Sequence, residues 1–116
     1  MRITPLVSVL FIVAAVVLVL VLATGNAEGA NKHQIRSTIC QVFGSRCGPA
    51  IRVATCESRL NPFALGSQGE RGIFQLHPVH FGWLNEDRLW EPRYNARAAY
   101  ILSKGGRNWS HWTCKP

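Results

Sequence analysis

The chain has 116 residues, four of them cysteine, and a formal net charge of +7 at neutral pH. That length holds one small domain and excludes a multidomain architecture, and no internal repeat or low-complexity tract follows the apolar N-terminal run. The positive balance favours anionic partners such as wall polymers, phospholipid head groups or nucleic acid, although arginines scattered from Arg36 to Arg107 also serve simply to solvate a surface.

Leu6 to Ala23 is an almost unbroken apolar run, with Ser8 its only polar member, Arg2 before it and Gly25-Asn26-Ala27 after it. A positive start, an apolar stretch and small residues two apart describe a secretory signal cleaved after Ala27. The run also reaches the ~18 residues of a spanning helix, so an uncleaved membrane anchor through residues 6–23 is the competing expectation. Either way residues 1–27 are set apart as signal peptide or anchor, and residues 28–116 form one extracytoplasmic domain, secreted or membrane-anchored. Export argues against nucleic acid as a partner.

Four cysteines in an exported chain lead to a disulfide framework. Of the three pairings, Cys40 with Cys47 and Cys56 with Cys114 is favoured, the first closing a short loop and the second tying the chain end to the residue beside Glu57. A zinc site is the rival use of the thiols. No two cysteines stand two to four residues apart, as structural zinc sites usually require, and His77-x-x-His80 has no acidic or thiol ligand near it in sequence. The two histidines are therefore read as turn and cleft-edge polar residues, with no metal and no cofactor.

Ile35, Ile39, Val42 and Phe43 keep helical spacing over Lys32 to Phe43, with Asn31 as cap and Gly44 as stop. Gly48-Pro49 starts a second helix, with Ala50, Ile51, Val53 and Ala54 facing at least partly inward. It ends near Ser58 to Leu60, because Asn61 precedes a proline. Glu57 falls in its last turn, where the negative end of the helix dipole and partial burial both favour a neutral, proton-donating carboxyl. A glycosidic oxygen needs such a donor before it can leave.

Asn61 to Gly72 is turn chemistry with Asn-Pro and Gly66, Gly69 and Gly72, and Ile73 to Leu76 is too short for periodicity to assign. Asn85 to Arg88 reads as a polar loop. Pro92 opens a last helix carried by Tyr94 to Lys104, with Ala98, Ala99, Ile101 and Leu102 as its packing face and Gly105-Gly106 as its stop. Trp109 and Trp112 close the domain near Cys114. The fold class expected is α+β and mainly helical, a small domain with a short turn-rich or β insert after the helix of Glu57.

Glu57-Ser58, Asn61-Pro62, Ala64, Ser67, Gly69, Gly72 and Gln75-Leu76 together resemble the lytic transglycosylase form of the lysozyme-like fold. Trp90-Glu91-Pro92 followed by Asn95 is similar to a later segment of that family, in which an asparagine opens a helix. Cys56 just before the glutamate, with Cys114 after a Trp-rich tail, resembles the resuscitation-promoting-factor branch. The resemblance spans about residues 48 to 114. It implies cleavage of the β-1,4 bond between N-acetylmuramic acid and N-acetylglucosamine in peptidoglycan, with 1,6-anhydro products, by a monomer whose partner is the glycan strand.

Residue by residue, the resemblance makes Glu57 the catalytic acid and Ser58, Gln75, Tyr94 and Asn95 substrate-binding. Glu70 stands where the family commonly has alanine. It either pairs with Arg71 or solvent, or acts as a second carboxylate positioning water, which would make the enzyme a hydrolytic muramidase. Trp83, Trp90, Tyr94, Tyr100, Trp109 and Trp112 can each stack on a sugar face, but core packing is the expected use of most of them. Two rivals of another class stay open: a wall-binding module without turnover, and a cationic membrane-active protein.

Overall fold

Ile35, Ile39 and Phe43 recur four apart and all three are buried, so residues 31–43 form a helix (α1) with one apolar stripe turned inward. The computed structural model describes residues 31–116, and the expected leader, residues 1–27, lies outside them. Among the described residues no helix is long and apolar enough to cross a membrane. Asn31, expected as the cap, is already helical. Gly44 takes the left-handed φ of +58° that an L side chain resists. It turns the chain into a 3-10 turn, Gly44–Arg46, that runs directly into α2, Cys47–Ser58. The Cys40–Cys47 disulfide spans this corner.

Helix α2 buries Ala50, Val53 and Ala54, small residues that let neighbouring backbone come close. Arg59 ends it in the left-handed region, its N–H donating to Thr55 O at 2.8 Å. Leu60 repeats the left-handed turn at φ 59° and is only 2% exposed. Burial of its side chain offsets the ~1 kcal/mol such a backbone costs.

The insert that follows is held by turns. Its β content is two isolated antiparallel bridges, Leu65 with Arg71 and Arg71 with Leu76, rather than a hairpin of regular strands. Gly72 donates to Ala64 O at 2.9 Å and accepts from Gln75 N at 3.0 Å, folding the segment back on itself. A Cβ at Gly72 would strike the Asn95 amide and Leu89 O, so the insert and α3 approach through a residue that has none.

Asn85 to Arg88, expected as a polar loop, forms the cap and first residues of a 3-10 helix over Glu86–Trp90. Two things fix it: Asn85 Oδ1 accepts from Asp87 N at 3.1 Å, and Leu89 is fully buried. Helix α3 runs Pro92–Leu102 with proline in its first turn and Asn95, Ala96, Ala98 and Ala99 buried. It stops before Lys104, because Lys104, Gly105 and Gly106 all take left-handed φ. Ile101, expected on the packing face, is 64% exposed instead. The core lies between α1, α2, α3 and the tail. Phe43, Phe74 and Trp109 meet there as a three-ring cluster, with centroids 5.6 to 6.0 Å apart. The result is a mainly helical α+β domain in which Lys32–Pro116 form one compact unit.

Candidate active site

Glu57 stands in the last turn of α2 and is half-buried. It forms one wall of a cleft of about 300 Å3. The turn-rich insert supplies the facing wall with Ser67, Gln68, Glu70, Gln75 and His77, and the tail closes the cleft with His111, Trp112 and Thr113. The backbone N–H of Cys114 donates to Glu57 Oε1 at 3.0 Å. Because Cys114 is also bonded to Cys56, the carboxyl is oriented by a donor covalently tied to the neighbouring residue. The other oxygen is left to the cleft.

Gln75 shares that cleft. Its Nε2 donates to Ala64 O and Gly72 O, both at 3.0 Å, so the amide nitrogen braces the insert and Oε1 is the end free to accept. Its φ of +50° is unusual for a side-chain-bearing residue, and these two bonds hold it there. Gly66 is tight for a related reason: a Cβ on it would run into the Glu70 carboxylate and the Gln75 amide oxygen.

Glu70 lines the cleft with Glu57 and does not pair with Arg71. Arg71 turns the other way, its guanidinium 5.3 Å from the ring centres of both Phe81 and Trp90, and donates to Glu86 O at 3.2 Å.

Three residues expected to bind substrate, Asn95, Ser58 and Tyr94, do not line this cleft. Asn95 has no solvent exposure. Its Oδ1 accepts from Phe74 N at 2.9 Å, and its Nδ2 donates to Arg71 O at 2.9 Å and Leu89 O at 3.0 Å. Those bonds use both amide hydrogens, so Asn95 is a buried bracket joining the insert, the 3-10 helix and α3. The single Ser58 hydroxyl hydrogen is shared between Ile73 O at 2.7 Å and Ala54 O at 3.0 Å, tying the end of α2 to the insert rather than facing the cleft. Tyr94 accepts from Asn85 N at 2.8 Å through its hydroxyl and lines a different cavity, of about 420 Å3. That larger space lacks a free acid, since its one carboxylate, Glu91, is held by Arg88 at 3.0 Å.

Sequence reasoning missed two tail residues that line the cleft, His111 and Thr113. Trp112 is both core and cleft wall: it is 6% exposed, its indole N–H donates to Phe74 O at 2.8 Å, and it lines the cleft. Its spacing from Trp109 pointed to packing, while its ring was also a candidate for stacking on a sugar face. His77 accepts from Val79 N at 3.1 Å through Nδ1, which leaves Nε2 protonated toward Gln68 Oε1 at 3.0 Å. His80 packs edge-on against His111 at 5.5 Å. Burial, and then the neighbouring charges of His111 and His77, lower the pKa of His80 from its ordinary 6.5. Among the described residues no group of three or more His, Cys, Asp or Glu is placed to hold a metal ion.

A family model described as a lysozyme-like domain matches residues 41–114, from the end of α1 through the disulfide-bonded tail. No curated protein and no solved structure matches the chain.

Proposed function

Because the chain belongs to the lysozyme-like domain family, a family tied to peptidoglycan-related glycosidase activity, we propose that it cleaves the β-1,4 bond between N-acetylmuramic acid and N-acetylglucosamine as a lytic transglycosylase. The observation that carries this reading is Glu57: a half-buried carboxyl at a cleft wall, with one oxygen held by the Cys114 N–H and the other open to a bound strand.

In the proposed reaction Glu57 gives its proton to the glycosidic oxygen as the bond from that oxygen to C1 breaks. The resulting carboxylate then takes the proton of the muramyl 6-hydroxyl as O6 bonds to C1. A 1,6-anhydro end forms, the acid is restored, and neither water nor a cofactor is consumed. Gln75 Oε1 would accept from the acetamido N–H of a bound sugar, and Trp112 would offer ring surface at the cleft wall. In this proposal Ser58 and Asn95 act at one remove, by fixing the walls, and Tyr94 belongs to the second cavity.

One observation favours a second reading. Glu70 shares the cleft and has no ion-pair partner among the described residues, so it could position water and make the enzyme a hydrolytic muramidase. Mass spectrometry of digested peptidoglycan separates the two: anhydro ends are expected, and reducing ends alone would overturn the transglycosylase reading. Glu57→Gln is expected to lower kcat by about a thousandfold or more, with wall binding retained. Unchanged lysis by that variant would sink the catalytic reading and favour a cationic or purely wall-binding protein. Glu70→Gln is expected to cost less than about tenfold, whereas a loss approaching that of Glu57→Gln would assign Glu70 the second carboxylate's role.

The two disulfides support an extracytoplasmic location. We propose with it that residues 1–27 act as secretory signal or anchor and that the domain works as a monomer on glycan strands.

A further inference from the structure

The outer face of α3 carries the cavity of about 420 Å3. Arg93, Arg97 and Ile101 recur four apart and therefore share one stripe of the helix; all three are exposed. Trp83, 49% exposed, closes the cavity from the neighbouring turn. Its charges are unbalanced. Arg88 is committed to Glu91, with N–O distances from 3.0 to 3.3 Å, and lies 4.5 Å above the Tyr94 ring. Arg93 donates to Gln41 Oε1, a neutral partner, and Arg97 has no partner among the described residues. Two guanidinium charges thus remain uncompensated beside the apolar Ile101.

This cavity connects to the Glu57 cleft through rings. Trp83 meets His80 at 6.3 Å and His80 meets His111 at 5.5 Å, centre to centre, and His111 lines the cleft. An extended peptide of three or four residues, at ~3.4 Å each, spans that interval.

We propose that this second cavity binds the carboxylate-bearing peptide branch of a peptidoglycan strand whose glycan lies in the Glu57 cleft, an inference that rests on the function proposed above. A neutral sugar gives no use to uncompensated guanidinium groups, which pair bidentately with carboxylates. The aliphatic wall of Ala98 and Ile101 matches the methyl groups of an alanine-rich branch. Arg97 is the residue assigned to the carboxylate, and the peptide arm thereby orients the strand over Glu57.

The test is a binding titration in which no bond is cleaved, so it succeeds or fails independently of the role of Glu57. The 15N-labelled protein is titrated with a synthetic alanine–glutamate–diaminopimelate tripeptide and, separately, with an N-acetylglucosamine tetramer. The peptide is expected to shift the Trp83 indole and the amides of Tyr94 to Ile101, and Arg97→Gln to weaken it about tenfold. Ile101→Asp, also at an exposed position, is expected to weaken it as well by placing a like charge beside the peptide. Three results would each overturn the proposal: no peptide shifts in this region, equal affinity in both variants, or shifts here from the sugar tetramer and not from the peptide.

Discussion

Asn95 is where an assignment by resemblance and the physical role part. Its position suggested a sugar contact, but its amide makes three bonds to backbone groups of two other segments, the insert and the 3-10 helix. A buried group of that kind contributes little net energy while paired and costs heavily when removed, because each partner is then left unsatisfied. Asn95→Ala is expected to lose about 3 kcal/mol or more, lowering the thermal midpoint by at least ~12 °C; a circular dichroism melt checks this. A midpoint within a few degrees of the parent, with substrate affinity reduced, would return Asn95 to the substrate. Glu57 differs because its one hydrogen-bond partner among the described residues, the Cys114 N–H, leaves half of its carboxyl available for chemistry.

Helix α2 and the tail are coupled by a single covalent link, Cys56–Cys114, across 58 residues of chain. In the chain-entropy account a loop that long contributes about 4 kcal/mol, a large part of the ~5–15 kcal/mol that a whole domain holds. The same link places the N–H that orients Glu57. Replacing both cysteines with serine is therefore expected to lower stability by about 4 kcal/mol in guanidinium unfolding. It is also expected to lower kcat about tenfold or more at temperatures where the variant remains folded, since small displacements of a catalytic group are costly. Full turnover in a folded double variant would show that the tail holds Glu57 without the bond. The insert works differently: it has bridges and turns instead of strands, and Gly66 and Gly72 are its tight points because a Cβ at either would meet a site residue or a backbone neighbour.

For the molecule as a whole, pH acts through the ring cluster at the cleft rim. His80 has a folded pKa below 6.5, with burial the first cause and His111 and His77 the next. A depressed histidine binds fewer protons folded than unfolded, so its contribution is full above pH 6.5 and is lost as pH falls through the folded value. The thermal midpoint is expected to drop below pH 6.5 and to drop less in His80→Gln; parallel pH profiles for the two proteins would refute a role for His80. The three α-helices, the disulfide-forming cysteines and the position of Glu57 at the end of α2 were readable from local sequence, whereas the 3-10 helix Glu86–Trp90 was not. Periodicity, capping and turn residues act over a few positions, as the stripe of Ile35, Ile39 and Phe43 shows. What the chain's tertiary structure alone decided is which groups meet. It put Glu70 in the cleft and Arg71 between two rings, drew Trp112 and His111 from the tail to the site, buried Asn95 and left Ile101 in solvent. Those placements depend on contacts between segments far apart in the chain, whose energies no local spacing encodes.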